Sequence, residues 1–237
     1  MKKIDLTSKV LPILHNYIGA RSCIFLYQFT NGDRRCGSGG IVRKNGELYI
    51  LTCKHVADDF YKGNWGRIIL STGKQFDRSS FSYNSSSNDY DLALLGASSI
   101  SSDILVSYNY PQDFDLVNKD IMGKSFILCG ISAELTKDKL RYNAFVTLSF
   151  TTNYLSHDDH FMKVDYPRND PSEIISEDID RLPDPHGLSG ALILHPDDFE
   201  SNTLWSPTTS KIVGVQIASD CNSYLKCSLV KNLVDIN

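Results

Sequence analysis

The feature that most constrains this chain is a succession of short apolar runs, rich in β-branched and aromatic residues, with polar turn signals between them. Residues of these types fit a pleated surface, and runs of this length are short for helices. Two of the breaks contain Asn-Gly, at 31–32 and 45–46, which is the strongest short-range signal for a hairpin. About ten such runs follow one another, and this spacing predicts an all-β sandwich or barrel of antiparallel strands.

Two helical patterns lie at the two ends of the chain. Six apolar residues recur at helical spacing near the N-terminus: Leu6, Val10, Leu11, Leu14, Tyr17 and Ile18. This periodicity predicts an N-terminal helix within 1–20, and the tail LVKNLVDIN predicts a short C-terminal helix. The composition shifts between 105 and 120, so we expect two β domains, 21–110 and 111–237.

Composition and charge exclude several classes of partner. The formal net charge is −4, whereas a nucleic-acid-binding protein is expected to carry a basic surface. The start MKKIDLTSKVLPIL lacks the uninterrupted apolar core of a signal peptide, and no run approaches the roughly 18 apolar residues of a membrane span. We therefore expect a cytoplasmic protein that binds neither nucleic acid nor membrane, with its six cysteines reduced.

The stretch PHGLSGALIL, residues 185–194, places Ser189 between glycines at the start of an apolar run. Glycine is used where a side chain would block the backbone conformation or the close approach of a ligand. Ser189 is therefore either a turn residue or a nucleophile beside an anion-binding backbone. A serine hydroxyl is a poor nucleophile unless a base within hydrogen-bond reach accepts its proton, so the rest of the chain has to supply that base.

Histidine is the natural base near neutral pH, and the chain has six: His15, His55, His157, His160, His186 and His195. The context of His55, LYILTCKHVADDF, predicts a position where a strand ends and a short helix begins. Asp91 opens the apolar run LALL, while Asp89 lies in the polar loop before it. A carboxylate at the start of a buried strand is costly unless it is paired, and an N–H group of His55 is a suitable partner for Asp91.

Four motifs occur in order along the chain: GSGGIV at 37–42, LTCKHV at 51–56, DLALL at 91–95 and GLSGALI at 187–193. Together they resemble the core motifs of the chymotrypsin/trypsin-fold serine peptidases, nearer to the bacterial HtrA-like and intracellular branch than to the digestive one. The resemblance covers roughly residues 20–230. It implies two six-stranded antiparallel Greek-key β-barrels with the active site between them.

The resemblance also implies the roles of the site residues. His55, Asp91 and Ser189 would form a catalytic triad, and the backbone N–H groups of Gly187 and Ser189 would form the oxyanion hole. This chemistry requires no metal and no cofactor. The order His, Asp, Ser also separates the chain from the α/β-hydrolases, in which the serine precedes the acid and the histidine.

One departure from the family concerns the residue before the nucleophile. Leu188 occupies the position where digestive relatives carry an aspartate that pairs with a new N-terminus after zymogen cleavage. That switch is therefore absent here. Two alternatives stay open: the oxyanion hole is preformed, or an activating partner protein or the substrate orders it.

By the same resemblance, the primary specificity pocket is walled by residues just before the nucleophile and by a later strand. The predicted substrate-binding residues are Pro183, Asp184, His186, Ile217, Ala218 and Ser219. Pro183 stands where an acid would indicate a preference for Arg or Lys. Asp184 is either a turn residue between prolines or an acid of the pocket, and His186 either contacts substrate or faces solvent.

The sequence thus predicts an intracellular trypsin-like serine endopeptidase that cleaves one or a few protein substrates, and the resemblance adds bacterial antiviral defence as a context. The main alternative is a catalytically silent relative that binds a protein or peptide through the same cleft. A third is an esterase of small molecules. The run HDDH at 157–160 is interpreted as a polar loop, because a solvated loop gives a metal no preset geometry.

Overall fold

A computed structural model of the chain describes residues 10–109, 124–136, 147–168, 181–196, 206, 208, 210–220 and 223–236. Up to residue 109 the elements are α1 (Val10–Gly19), β1 (Ser22–Gln28), β2 (Arg34–Lys44), β3 (Glu47–Cys53), α2 (Lys54–Lys62), β4 (Trp65–Leu70), β5 (Gln75–Asp77), a 3₁₀ segment (Arg78–Ser80), β6 (Ser82–Ser87), β7 (Leu92–Gly96), a 3₁₀ segment (Ser98–Asp103) and β8 (Tyr108–Asn109).

From residue 124 on, they are β9 (Ser125–Ile131), α3 (Ala133–Thr136), β10 (Thr147–His157), β11 (Phe161–Asp165), β12 (Leu192–His195), β13 (Lys211–Asp220), β14 (Tyr224–Leu229) and a 3₁₀ segment (Val230–Ile236). None of the helices in these described ranges has the length and apolar character that a membrane span needs.

The first sheet contains eight strands in the order β5-β4-β1-β2-β3-β7-β6, with β8 paired in parallel to β2. Its central hairpin, β2–β3, turns at Asn45 and Gly46, which have φ angles of 52° and 86°. Lys44 pairs with Glu47, so the connection has two residues, and two successive positive φ angles are what a type I′ turn requires. The hairpin expected at this Asn-Gly pair is confirmed, and it fixes the register of the two strands that lead into the site.

The second sheet is a closed barrel of six strands in the order β10-β11-β14-β13-β12-β9, and every pairing in it is antiparallel. The all-β class, the six-stranded barrel and the N-terminal helix are confirmed. The first sheet differs in detail from the expected closed six strands, because β8 adds a parallel pair and the path β5 to β6 stays open. The C-terminal segment is a 3₁₀ helix, which Asn232 ties to the barrel through bonds to Ser228 Oγ and the carbonyl of His160.

One large hydrophobic cluster contains side chains from both sheets, while a second cluster lies mainly within the first sheet. Buried members of the shared cluster include Val42 and Leu51 from the first sheet, Leu192 and Val215 from the barrel, and Leu14 from α1. Because side chains from both sheets fill the same space, the relative position of the sheets is set by packing density, which in protein interiors tolerates few voids and little overlap.

Gly40 of β2 lies where the two sheets meet, and a Cβ atom on it would stand 2.1 Å from Cδ1 of Leu192. We predict that Gly40→Ala destabilises the protein by about 1–3 kcal/mol through overpacking and Leu192→Ala by about 2–5 kcal/mol through the cavity it leaves. The free energy of unfolding of the double variant should fall by about 0.5–3 kcal/mol less than the sum of the decreases in the two single variants. Urea unfolding of the four proteins measures this coupling, and strict additivity would show that the two side chains do not compete for one space.

Candidate active site

His55 is the second residue of α2, which begins directly after β3 ends at Cys53. The first N–H groups of a helix have no partner within the helix, and the side chain of Cys53 makes no capping bond. Asp91, at the start of β7, supplies the acceptors. Its backbone carbonyl accepts from the N–H of Lys54 at 3.0 Å, and its Oδ1 accepts from the N–H of His55 at 2.9 Å.

The second carboxylate oxygen of Asp91 fixes the imidazole. Asp91 Oδ2 lies 2.7 Å from His55 Nδ1, so that the tautomer with a proton on Nδ1 is held and Nε2 faces away from the acid. The φ angle of Asp91 is 53°, a left-handed conformation that few residues other than glycine, Asn and Asp adopt. Such backbone conformations persist where the surroundings impose them, and they concentrate at functional sites. The structure therefore brings together the predicted His55 and Asp91.

The environment of His55 favours its charged form. The hydrogen bond that His55 donates to Asp91 and the smaller effect of a contact with Cys53 raise the pKa of His55 from 6.5 to about 10, against a lowering by burial. The side chain of His55 is 47% exposed, so the ring is in contact with solvent while its Nδ1 edge is paired.

The polar neighbour of the other ring nitrogen is a thiol. Cys53 Sγ lies 3.5 Å from His55 Nε2. A thiol beside a histidine is a candidate nucleophile, but Cys53 is fully buried and desolvation raises the pKa of this thiol. Reactive cysteines are exposed and have a lowered pKa, so the geometry does not make Cys53 a competitor of Ser189 for a substrate.

The glycines around Ser189 answer a steric requirement. Gly187 and Gly190 have φ angles of 94° and 91°, a region that L side chains rarely adopt. A Cβ atom would stand 2.7 Å from the carbonyl oxygen of Ile131 at Gly187, and 2.0 Å from the carbonyl oxygen of Ser38 at Gly190. The loop before β12 therefore takes a tight course against both sheets that only glycine permits at these two positions.

Along this loop, backbone N–H groups that have an acceptor among the described residues alternate with N–H groups that have none. Leu188 N–H donates to the carbonyl of Pro185 at 3.0 Å, and Gly190 N–H donates to the carbonyl of Gln216 at 2.8 Å. The N–H groups of Gly187 and Ser189, by contrast, donate to no other residue in the described part of the chain. Two neighbouring donors that lack a partner are the arrangement that an anion-binding backbone presents.

The direction of the Gly187 N–H follows from the peptide bond before it. The carbonyl of His186 accepts from Ala133 N–H at 2.8 Å. No cis peptide bond is found in the described ranges, and a trans peptide points its C=O and N–H in opposite directions. The Gly187 N–H therefore points away from Ala133. Leu188 is fully buried in the shared core, which anchors the loop in this conformation.

Ser38, whose role was not evident from the sequence, connects the first sheet to the segment 182–191 that contains Ser189, called the Ser189 loop. Its backbone N–H donates to the carbonyl of Ser189 at 2.7 Å, and its Oγ donates to the carbonyl of Gly187 at 2.7 Å. The same Oγ accepts from Ile131 N–H at 2.9 Å. The only sequence signal was a small polar residue within the glycine-rich motif GSGG.

Ser189 itself is half-buried. Its loop reaches β3 through Ser38, whose carbonyl accepts from Thr52 Oγ1 at 2.7 Å, three residues before His55. Among the described residues, no hydrogen bond joins Ser189 Oγ to His55 Nε2. Catalytic hydrogen bonds are often long in the absence of substrate, and the contact between Ser189 and His55 stays a prediction.

Of the predicted pocket residues in the Ser189 loop, Pro183 is buried, whereas Asp184 and His186 lie nearer the surface and pair with each other. The carbonyl of Pro183 accepts from Tyr166 Oη. The carboxylate of Asp184 pairs with the ring and the N–H of the exposed His186, and these contacts lower the pKa of Asp184. Asp184 thus has the contacts of a turn residue, the first of the two interpretations.

The predicted residues on β13 also differ from one another. Ile217 is buried against the core of the first sheet, while Ala218 and Ser219 are exposed. Gln216, which precedes Ile217 on the strand expected to wall the pocket, is buried. Its Nε2 donates to the carbonyl of Ala218 at 2.9 Å, and its Oε1 is buried without a partner in the structure. The signal was an amide inside the apolar run KIVGVQIA.

The run HDDH forms a turn between β10 and β11. Asp158 Oδ1 accepts from the N–H groups of His160 and Phe161, each at 2.8 Å, and these bonds lower the pKa of Asp158.

Within the described ranges, one group of His, Cys, Asp or Glu residues has ligand atoms close enough together to hold a metal ion. It consists of Cys53, His55 and Asp91.

No protein-family model matches the chain, and no curated protein matches it. Solved structures do. A serine endoprotease from Yersinia pestis is 15% identical, with a TM-score of 0.59 over 97% of this chain and 65% of that one. The HtrA-type protease AlgW with a tripeptide is 11% identical, with a TM-score of 0.57 over 95% of this chain and 61% of that one.

A shorter structure, HL collagenase, is 12% identical, with a TM-score of 0.59 over 92% of this chain and 93% of that one. The chain spans less than two thirds of the length of the first two proteins. Likeness at these identities shows the fold, and the chain has the chymotrypsin-like serine protease fold.

The raised pKa of His55 leads to a prediction on pH. A histidine whose pKa is raised on folding stabilises the folded state fully below its unfolded pKa of about 6.5, and loses that contribution as the pH rises through the folded pKa. We predict that Asp91→Asn moves the NMR-monitored titration of His55 from about 10 back towards 6.5. Above a pH of about 10 the imidazolium no longer contributes. There, the difference in the free energy of unfolding between wild type and Asp91→Asn should no longer change through the titration of His55.

Asp89→Asn is the matched control, because Asp89 is an exposed acid two residues away; it should leave the titration of His55 in place. A wild-type His55 that titrates near 6.5 would show that the carboxylate of Asp91 does not stabilise the imidazolium.

Proposed function

We propose that this protein is a serine endopeptidase in which Ser189 is the nucleophile, His55 the general base and Asp91 the residue that orients the base. The observation that carries the proposal is the bidentate contact of Asp91 with the backbone and the ring of His55. It occurs on a chymotrypsin-like fold whose Ser189 loop presents two N–H groups without partners.

In the proposed reaction, Ser189 Oγ attacks the carbonyl carbon of the scissile peptide as His55 Nε2 takes the hydroxyl proton. The charge that develops on the carbonyl oxygen is stabilised by the N–H groups of Gly187 and Ser189. His55 then gives its proton to the leaving amine, and a water molecule releases the acyl group by the same steps. Asp91 keeps the proton on Nδ1 throughout, so that Nε2 is the nitrogen that exchanges protons with Ser189 and the leaving amine.

The raised pKa of His55 determines how the proposed activity depends on pH. This raised pKa favours the form of the ring that holds protons on both nitrogens. A protonated ring cannot accept the proton of Ser189, so the proposed activity increases with pH as the ring becomes neutral.

The loop geometry favours an oxyanion hole that needs no activating partner. The bond between His186 and Ala133 directs the Gly187 N–H away from Ala133, and the buried Leu188 and the hydroxyl of Ser38 hold the loop. Of the two alternatives that Leu188 left open, we propose the preformed hole.

A second candidate is a binding module without catalysis, and one observation favours it. His55 Nε2 has Cys53 Sγ as its polar neighbour, and Ser189 Oγ makes no hydrogen bond to a described residue. If this arrangement persists with substrate bound, the nucleophile is never activated and the cleft binds a protein without cleaving it.

Covalent labelling separates the two candidates. We predict that a fluorophosphonate probe forms an adduct on Ser189, because the activated hydroxyl attacks phosphorus and the fluoride leaves. Ser189→Ala and His55→Ala should both abolish the adduct, as shown by mass spectrometry of the intact chain. The control is Ser102→Ala, on an exposed serine of the 3₁₀ segment Ser98–Asp103, which should label like wild type. An unlabelled wild type would favour the binding module.

The structure also bears on the residue before the cleaved bond, called P1. Gln216 is bonded to the Ser189 loop through Gly190 and Ala191, and it pairs with Cys227, so that its side chain faces the barrel interior. Because the carbonyl of Ala218 can only accept, the amide orientation is fixed and Oε1 is the atom without a partner. A P1 side chain that is neutral and donates a hydrogen bond, an amide or a hydroxyl, would satisfy it.

An unrestrained protease would damage its own cell, so we propose cleavage of one or a few proteins in the cytoplasm, with bacterial antiviral defence as the setting. Comparing protein N-termini in cells with wild type and with Ser189→Ala tests this. We predict a small set of new N-termini, each preceded by a residue with an amide or hydroxyl side chain. Gln216→Leu should lose at least tenfold of that P1 preference, and a broad or charged P1 profile would contradict the assignment.

A further inference from the structure

We propose that Cys53 Sγ and His55 Nε2 form a binding site for Zn²⁺, which switches the general base off when the ion is bound. The binding of the ion stands on the geometry alone. Its inhibitory effect rests on the proposed function, because it requires that His55 be the base that activates Ser189.

The separation of the two ligand atoms matches a zinc chelate. Zinc in proteins lies about 2.0–2.1 Å from a histidine nitrogen and about 2.3 Å from a cysteine sulfur, in tetrahedral geometry, which separates the two ligand atoms by about 3.5 Å. The distance from Cys53 Sγ to His55 Nε2 is 3.5 Å. The ring nitrogen and the sulfur thus already stand at the spacing that one ion would impose.

Asp91 provides the support that zinc-binding histidines require. Its ligand atoms lie within 4.8 Å of those of Cys53 and His55, but its Oδ2 is occupied by His55 Nδ1 at 2.7 Å. A carboxylate that accepts from the other nitrogen of a ligating histidine fixes the tautomer and raises the basicity of the metal-binding nitrogen. Asp91 therefore orients the ligand and does not need to coordinate the ion.

The position of the pair determines how the ion is reached and held. Cys53 is buried, as thiolates in structural zinc sites commonly are, while 47% of the His55 side chain is exposed and opens the way from solvent. Binding of the ion releases two protons to solvent, one from the thiol of Cys53 and one from Nε2 of the charged His55 ring, because the metal binds the thiolate and the neutral imidazole. Two protein ligands leave two positions for water, so binding is weaker than at a four-ligand structural site and is reversible.

Occupancy of this site has one direct consequence for the proposed reaction. The lone pair of His55 Nε2 that would accept the proton of Ser189 is shared with the ion, and the ring cannot act as a base. The buried Cys53 thus makes the proposed activity depend on the concentration of free zinc. The three residues of the proposed triad alone would not create this dependence.

Cobalt(II), which replaces zinc and absorbs light, tests the site directly on the full chain. We expect one Co²⁺ per chain, the intense visible bands of tetrahedral coordination and a thiolate-to-metal charge-transfer band in the near ultraviolet. Cys53→Ala should remove the charge-transfer band and weaken Co²⁺ and Zn²⁺ binding at least tenfold. Cys36→Ala is the matched control, since Cys36 is a half-buried thiol beside Gly187; it should bind like wild type.

Absence of the charge-transfer band in wild type, or unchanged affinity in Cys53→Ala, would overturn the site. If Cys53→Ala does not fold, as judged by circular dichroism, the wild-type spectrum and the Cys53→Ser variant decide. Fluorophosphonate labelling with and without Zn²⁺ separates the site from the proposed function. If zinc blocks the labelling of Ser189, the result supports both the metal site and the proposed peptidase function. If the probe labels Ser189 while zinc is bound, the inhibitory effect of zinc is overturned. If the metal binds but no labelling occurs in its absence either, the metal site stands and the peptidase proposal fails.

Discussion

The hydrogen bonds of Ser38 are the contacts on which the arrangement of the site depends. Ser38 is 1% exposed, and through its N–H, Oγ and carbonyl it connects β2 to Ser189, Gly187, Ile131 and Thr52. These partners belong to the first sheet, to the barrel and to the Ser189 loop. A single small residue in the space between the sheets therefore fixes the position of that loop relative to the strand that leads to His55.

Asp91 has the corresponding role at the start of α2. It substitutes for the missing cap of α2 and holds the imidazole with the same carboxylate, at the cost of a left-handed backbone that is about 1–2 kcal/mol less favourable than the right-handed one. The imidazole of His55 is thus tied to β7 of the first sheet, and the Ser189 loop is tied to both sheets. Preorganisation of this kind is what electrostatic stabilisation of a transition state requires.

Local signals in the sequence were enough to predict part of this structure. The Asn-Gly pair at 45–46 predicted the β2–β3 hairpin because its φ preferences are a property of two residues, and the change from strand to helix at His55 was visible in one apolar run. The partners of Ser38, the contact between Cys53 and His55 and the unpaired Oε1 of Gln216 were not predictable. Each depends on residues far apart in the chain that meet only when both sheets have formed.

The most direct test of the proposed catalytic site is a crystal structure of the protein after reaction with a phosphonate that mimics the tetrahedral intermediate. We predict a bond from Ser189 Oγ to phosphorus, with one phosphonyl oxygen about 2.7–3.1 Å from the N–H groups of both Gly187 and Ser189, and His55 Nε2 within hydrogen-bond reach of the bound group while Nδ1 stays paired with Asp91. A phosphonate attached elsewhere, or a Ser189 hydroxyl that stays out of reach of His55 in the complex, would contradict it.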